Sequence, residues 1–337
     1  MENQVKVLVT GAGGFIGSHL VTYLKNKNYW VRGIDIKYPE FSETDADEFE
    51  ILDLRRWDNC LQATRGIEEV YALAADMGGM GFIANHHAQI LYNNSLINLH
   101  TLEAAKTNGA RRYLYTSSAC VYNEDLQTEA DAKPLKEEDA YPAQPQDAYG
   151  WEKLISEILC KYYQSDYGIE TRTVRFHNIF GEKGTWEGGR EKVPAALCRK
   201  IALAKLTGIA EIEIWGDGEQ TRSFCHVDDC VEGIYRLMRS DFHEPLNLGQ
   251  DRMVSINRLA DIIAEIAGIK ISKKHVDGPQ GVRGRNSDNT KLREVLDWEP
   301  GISLEDGLKT TYQWIEEQIR HQLTLNREMS KTTVNAV

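Results

Sequence analysis

The chain has 337 residues, 42% of them hydrophobic, and a formal net charge of −12 at pH 7. This length can bury a full core in one large domain or two, and the acidic balance argues against a general nucleic-acid or anionic-membrane surface. The six cysteines lack metal-like C-x-x-C spacing, so we expect neither a disulfide framework nor a metal site. The chain enters its first strand almost at once and has no apolar run of transmembrane length, so we expect a cytoplasmic enzyme with no signal peptide and no membrane or nucleic-acid partner.

Residues 5–17, VKVLVTGAGGFIG, predict a buried parallel strand, a turn and a helix. The strand covers residues 5–10 and the helix about residues 15–25. The glycines suit a tight turn, close approach of the backbone to a pyrophosphate and close helix packing, in the order Gly11, Gly14 and Gly17. The free N–H groups at the helix N-terminus favour a diphosphate there.

A second strand, Trp30–Asp35, ends in a carboxylate. Asp35 can accept both ribose hydroxyls of NAD and would repel the 2′-phosphate of NADP. The sequence therefore predicts NAD as the cofactor. The other candidate cofactor-binding residues are Phe15, Ile16, Asp53, Leu54, Ala74, Tyr149 and Lys153, with Asp53 and Leu54 expected next to the adenine.

Strand-like and helix-like segments alternate through the first half of the chain, which predicts an α/β fold with a doubly wound parallel (Rossmann) sheet. Predicted strands cover residues 5–10, 30–35, 49–51, 69–73, 112–117 and 171–176, and predicted helices include 95–108 and 149–167. Residues 124–146 are polar and contain three prolines, which predicts a loop over the active-site edge.

The second half has shorter elements and glycine-rich turns, which indicates a smaller C-terminal α/β domain for the substrate. Its predicted amphipathic helices are 253–268 and 304–322. We expect an NAD-binding domain at residues 1–176, joined by about 224–250, and a substrate-binding domain at residues 177–223 and 251–322. Residues 323–337 are expected to form a flexible tail.

Tyr149 and Lys153 form a Y-x-x-x-K pair at the start of a predicted helix, which places both side chains on one face. A cation and the positive nicotinamide ring would stabilise the tyrosine phenolate. Ser118 follows a predicted strand, at the edge where open α/β sheets bind ligands, and can hydrogen-bond the substrate oxygen that the tyrosine deprotonates.

The motifs GAGGFIG (11–17), SSACVY (117–122) and Y-x-x-x-K together resemble the extended short-chain dehydrogenase/reductase family over nearly the whole chain. Within it, several more specific stretches are similar to the GDP-mannose 3,5-epimerase subfamily. They are AADMGGMGF (74–82), RFHNIFG (175–181), GGREKVP (188–194), WGDGEQTRS (215–223) and GVRGRNS (281–287).

This resemblance implies an NAD-dependent isomerase that acts on GDP-mannose and releases GDP-linked hexoses, GDP-L-galactose and GDP-L-gulose. Tyr149 would remove the C4 hydroxyl proton during oxidation of C4, and the resulting ketone would acidify the C–H bonds at C5 and C3. Proton exchange at those carbons needs two further groups, and Cys120 and Lys192 match the subfamily's positions for them. A thiol near positive charge is a competent base, and a lysine can act as the acid if burial lowers its pKa.

The resemblance also implies a set of substrate-binding residues and a homodimer. Arginine and lysine in this set would supply the local positive charge that a diphosphate needs in an acidic protein. The set comprises Gly78, Ser118, Ala119, Cys120, Asn178, Glu191, Lys192, Val193, Lys200, Gln220, Thr221, Arg222 and Arg285.

Two other functions stay open at this point. One is a 4-epimerase or reductase acting on another nucleotide sugar, which would invert C4 without solvent hydrogen entering C3 or C5. The other is a catalytically silent NAD-sensing protein, against which the intact set of Ser118, Tyr149 and Lys153 argues.

Overall fold

The computed structural model describes residues 4–334, with side chains described through residue 325. Its centre is a seven-stranded sheet in which every neighbouring pair is parallel, in the order β3-β2-β1-β4-β5-β6-β11. These strands are β1 (Lys6–Thr10), β2 (Trp30–Asp35), β3 (Glu48–Ile51), β4 (Glu69–Ala72), β5 (Arg112–Ser118), β6 (Glu170–Phe176) and β11 (Pro245–Leu248). The predicted doubly wound parallel sheet is confirmed.

Helices cover both faces of this sheet. One face carries α1 (Phe15–Asn26), α7 (Val227–Arg239) and α9 (Thr290–Leu296). The other carries α2 (Trp57–Thr64), α4 (His87–Thr107) and α5 (Ala148–Tyr167). The strand order reverses between β1 and β4, so the carboxyl ends of these two strands form the crevice in which such sheets bind ligands.

A second hydrophobic core joins α6 (Val193–Thr207), α8 (Ile256–Ala267) and α10 (Leu304–Val334). Short strand pairs lie between the two cores and beside them. They are β7 (Ile179–Phe180) with β10 (Cys225–His226), β8 (Glu211–Trp215) with β13 (Ser272–Val276), and β9 (Thr221–Ser223) between β12 (Met253–Ser255) and β14 (Gly284–Arg285).

Several segments differ from the predicted elements, and the helix predicted at residues 95–108 begins eight residues earlier, at His87. The helix predicted from residue 253 begins at Ile256, because Ser255 is extended and its hydroxyl caps the helix by accepting from the Arg258 N–H at 3.1 Å. The predicted loop 124–146 contains two 3₁₀ helices, Glu124–Gln127 and Glu137–Ala140, and α3 (Met80–Ile83) forms within the MGGMGF stretch. The last helix, α10, continues beyond residue 322 to Val334. Within residues 4–334, none of the helices combines the length and apolarity of a membrane span.

Candidate active site

The glycine turn after β1 has the shape that a dinucleotide requires. Gly11 adopts φ +71°, and a Cβ on Gly17 would lie 2.0 Å from the Gly11 carbonyl oxygen. Gly14 occupies the N-cap of α1 and offers no side-chain cap, which leaves the first N–H groups of the helix, at Phe15 and Ile16, for a ligand. These residues fit a pyrophosphate.

Asp35 ends β2 at the same edge of the sheet. Its carboxylate accepts hydrogen bonds from the backbone N–H groups of Gly13 at 3.0 Å and Ile36 at 2.6 Å. Burial raises the pKa of Asp35, and these hydrogen bonds oppose the shift. The carboxylate is thus fixed beside the turn, where it can accept ribose hydroxyls.

Three more cofactor candidates follow parallel strands at this edge. The Ala74 N–H donates to the Thr10 hydroxyl at 3.1 Å, which joins the ends of β4 and β1. Asp53 and Leu54 come directly after β3; Leu54 is buried, and Arg55 holds the pKa of Asp53 low through an ion pair of 2.6 Å. The residues present therefore fit NAD.

Tyr149 and Lys153 lie one turn apart on α5, and both are buried. The Lys153 ammonium donates to the Thr116 carbonyl oxygen at 2.9 Å and lies 5.5 Å from the centre of the Tyr149 ring. Burial raises the pKa of Tyr149, and a hydrogen bond with Ser118 acts in the opposite direction. The predicted Ser118, Tyr149 and Lys153 set is therefore brought together at the end of β5.

Cys120 lies in the 3₁₀ turn Ala119–Val121 that follows β5, and its N–H donates to the Ser118 hydroxyl at 3.2 Å. Its Sγ accepts a hydrogen bond from Arg285 Nη1 at 3.3 Å. The guanidinium is therefore a charge-assisted donor to this sulfur. Arg285, expected from the sequence to bind the nucleotide, also contacts the predicted base.

Lys192 is the N-cap of α6 and lies close enough to Cys120 for the two charges to interact. Desolvation by the surrounding protein lowers the pKa of Lys192, and the charge of Cys120 opposes this shift. Lys192 is exposed in the structure, so the full effect of desolvation requires a substrate that displaces water from it.

The segment before Lys192 is fastened to the MGGMGF stretch. The Gly79 N–H donates to the Arg190 carbonyl oxygen at 3.0 Å, and a Cβ on Gly79 would lie 2.5 Å from the Glu191 carbonyl oxygen. Arg190 lies 3.9 Å from the centre of the Phe82 ring and 3.3 Å from the Asp76 carboxylate. The two stretches that most resemble the epimerase subfamily are thus in direct contact.

Two arginines stand in register on neighbouring strands of the small sheet, Arg222 on β9 and Arg285 on β14. Arg222 donates to the carbonyl oxygens of Thr221 at 2.7 Å and Val282 at 2.7 Å. Burial lowers the pKa of Arg222 to about 9, and the charge of Arg285 acts in the same direction. Neither guanidinium pairs with a carboxylate among the described residues, so the two together form a suitable site for an anion.

Among the remaining predicted substrate residues, Gln220 and Thr221 lie at β9 and Asn178 bonds to it, whereas the others contact different elements. Asn178, at φ +47°, donates to the Ser223 carbonyl oxygen at 2.9 Å, and buried Gln220 donates to the Trp215 carbonyl oxygen at 3.1 Å. The Thr221 hydroxyl donates to the Ala130 carbonyl oxygen. Lys200 donates to the Glu213 carbonyl oxygen at 2.6 Å and has Arg199, Glu213 and Glu191 as its charged neighbours. The other predicted residues here are Gly78 beside Phe82, buried Ala119, Glu191 paired with Arg199, and exposed Val193.

Two residues of the site were missed from the sequence. Gln127, in the predicted loop, accepts a hydrogen bond from Arg285 Nε at 2.5 Å. Asn98 on α4 donates to Glu152 at 2.7 Å, directly behind Lys153. Neither stands in a motif, so no local signal could have identified them.

Comparison with known proteins supports the same assignment. Residues 7–249 match the profile of the NAD dependent epimerase/dehydratase family. GDP-mannose 3,5-epimerase 1 of Oryza sativa subsp. japonica is 52% identical over 325 residues, which cover 96% of this chain and 85% of the rice protein. GDP-mannose 3,5-epimerase of Arabidopsis thaliana is 51% identical over 331 residues, which cover 98% and 87%.

Solved structures share the fold at lower identity. UDP-glucose 4-epimerase of Thermotoga maritima, crystallised with UDP-glucose, superposes with a TM-score of 0.83 at 26% identity, covering 94% of this chain and all of the other. UDP-glucuronic acid 4-epimerase of Bacillus cereus, in complex with UDP-glucuronic acid and NAD, gives a TM-score of 0.78 at 27% identity, covering 93% and 100%. The chain therefore belongs to the NAD dependent epimerase/dehydratase family, a group of extended short-chain dehydrogenases/reductases.

Proposed function

We propose that the protein is an NAD-dependent epimerase that converts GDP-mannose to GDP-L-galactose by inverting C5 and C3, with GDP-L-gulose as the product of single inversion at C5. The observation that carries this proposal is the group formed by Cys120, Arg285 and Lys192 beside Tyr149. An enzyme that inverts only C4 has no need of a second acid and base. The identity of 51–52% to proteins named GDP-mannose 3,5-epimerase supports the same substrate.

Chemistry at C4 depends on the residues at the end of β5 and the start of α5. NAD⁺, when bound, accepts the hydride from C4 and later returns it, so the cofactor is regenerated in each turnover. The Tyr149 phenolate takes the C4 hydroxyl proton, Ser118 hydrogen-bonds the same oxygen, and buried Lys153 stabilises the phenolate. Burial and the charges of Cys120 and Glu152 raise the pKa of Tyr149, so a positive charge beside the phenolate is required for the tyrosine to act as a base.

Inversion at C5 and C3 follows from the ketone at C4, which acidifies both neighbouring C–H bonds. The Cys120 thiolate, stabilised by Arg285, removes the proton on one face. Lys192 returns a proton on the other face, and its lowered pKa makes the ammonium a better acid. The Gly79–Arg190 hydrogen bond and the contact of Arg190 with the Phe82 ring fix the backbone next to Lys192, and with it the position of this lysine.

The GDP diphosphate would lie between the two arginines that stand in register, Arg222 and Arg285. Arg285 is buried and Arg222 is half-buried, and neither donates to a carboxylate among the described residues, so their charge is available to the ligand. Asn178, Gln220 and Thr221 adjoin this position on β9 and at the end of β6. The guanosine would lie farther along the small domain.

We further propose a homodimer in the cytoplasm. Four residues on α5 with helical spacing present exposed apolar surface: Trp151, Ile155, Ile158 and Tyr162, between 39% and 58% exposed. Exposed Tyr92 and Leu99 extend this surface on α4, which packs against α5. A second copy of the same helix pair would cover it as a four-helix interface, and sedimentation velocity tests this.

Six unpaired cysteines suit a reducing compartment.

The test of function is incubation of the purified protein with GDP-mannose in D₂O, with the products read by NMR. We expect deuterium at C5 and C3, protium retained at C4, and no net change in NAD. Inversion at C4 without solvent deuterium at C3 or C5 would instead identify a 4-epimerase. Bound cofactor with no turnover of any nucleotide sugar would identify an NAD-binding protein without activity.

A further inference from the structure

Gln127 is the last residue of a 3₁₀ helix and is 1% exposed. Its side-chain amide donates to the carbonyl oxygens of Asn123 at 3.1 Å and Tyr122 at 3.4 Å. These two bonds identify the nitrogen end of the amide, so the oxygen must point the other way. There Oε1 accepts from Arg285 Nε at 2.5 Å.

The backbone of Gln127 holds the same strand. Its carbonyl oxygen accepts from the Arg283 N–H at 2.9 Å, two residues before Arg285 on the chain. Arg285 is therefore fixed at its strand and at its guanidinium by one buried residue. With Nε bound to Gln127, Nη1 of the same planar guanidinium lies 3.3 Å from Cys120 Sγ.

We propose that Gln127 is a positioning residue that holds the Arg285 guanidinium against Cys120 Sγ, where it stabilises the negative charge that the sulfur needs for proton abstraction. The role in proton abstraction rests on the proposed function; the hold on the thiolate does not. A neutral amide suits this task, because a glutamate here would pair with the guanidinium and compete with the thiolate for its charge.

Other charges also face the thiol from the elements packed around it. They are Arg285 on β14, Arg222 on β9, Lys192 at the start of α6, and Tyr149 and Lys153 on α5. Only Arg285 among these donates a hydrogen bond to Sγ within the described part of the chain. Replacing Gln127 should therefore affect Cys120 only through Arg285, which distinguishes its effect from that of the other positive charges nearby.

The test is the pH dependence of Cys120 alkylation by iodoacetamide in the purified full-length protein, followed by peptide mass spectrometry. The other five cysteines are buried, so Cys120 reacts first in the folded protein. For Gln127→Met, which is similar in size and cannot accept the bond, we expect the midpoint of the alkylation profile to rise by about half to one pH unit. Deuterium exchange at C5 at neutral pH should fall by about threefold to tenfold, the same factor by which the thiolate fraction falls.

Gln144→Met is the matched control, since Gln144 lies in the same segment but is exposed and bonds only to Glu124 within it, at 3.4 Å. It should leave the midpoint unchanged. Gln127→Glu, which keeps an acceptor for Arg285, should also raise the midpoint, and it provides the test if Gln127→Met fails to fold. The double variant Gln127→Met/Arg285→Lys should match Arg285→Lys alone.

An unchanged midpoint in a folded Gln127 variant would overturn the proposal, as would a Gln127→Met effect that persists undiminished in the Arg285→Lys background. A wild-type protein that fails to epimerise GDP-mannose would refute the proposed function. The alkylation midpoints would still decide whether Gln127 holds the thiolate.

Discussion

Replacing Gly79 with alanine should uncouple proton exchange from oxidation at C4. Gly79 has φ −70° and ψ 177°, so alanine can adopt its backbone without strain. The added Cβ would lie 2.5 Å from the Glu191 carbonyl oxygen, about 1 Å closer than ordinary van der Waals contact. Because the atom it meets is backbone, residues 190–192 must move by roughly that distance, and Lys192 moves with them. A displacement of about 1 Å at a catalytic group can cost on the order of 100-fold in rate.

The assay compares two rates in the same variant: transfer of deuterium from C4 of labelled GDP-mannose to bound NAD⁺, and solvent deuterium uptake at C3 and C5. We expect the second rate to fall about 100-fold and the first to change little. Gly81→Ala is the control in the same stretch, since its Cβ would have only the edge of Trp215 as a neighbour, at 3.6 Å. Exchange within threefold of wild type in a folded Gly79→Ala protein would refute the idea that this contact positions Lys192.

Three further predictions test other parts of the site and the fold. Tyr149→Phe should lose about 100-fold to 10,000-fold in turnover while GDP-mannose still binds, as measured by calorimetry beside a turnover assay; activity within tenfold of wild type would exclude Tyr149 as the acid and base at C4. Arg222→Ala should raise KM more than it lowers kcat, because charge-assisted hydrogen bonds of about 1.5–3 kcal/mol each to the diphosphate are lost; an unchanged KM would remove Arg222 from the site. Burial lowers the pKa of His177 to about 3 from its usual 6.5, so below pH 6.5 the unfolded chain binds a proton that the folded chain does not. The free energy of unfolding should therefore fall by up to about 1.4 kcal/mol per pH unit between pH 6.5 and pH 3. His177→Gln should weaken this loss, which urea unfolding at pH 7 and pH 5.5 would measure; equal acid sensitivity in both proteins would argue against it.

The amino-acid sequence by itself determined the parts of the protein that depend on neighbours along the chain. The strand and helix periods of residues 5–25, the glycine turn and the carboxylate of Asp35 are local signals, and the structure places them together at one edge of the sheet. The pairing of Tyr149 with Lys153 follows from the same helical spacing. Resemblance of short motifs then pointed to Cys120 and Lys192, and the structure brings their charges within reach of each other.

Only the tertiary structure decided how these residues are held. Arg285 contacts Cys120 across 165 positions of sequence, and Gln127 holds Arg285 across 158. Arg190 reaches Asp76 and Met77 from more than 110 positions away. The burial of these polar groups depends on which segments the folded chain places against them. Burial in turn sets the strength of their electrostatic interactions. Periodicity and turn chemistry report on adjacent residues alone, so such partners leave no pattern in the sequence from which they could be predicted.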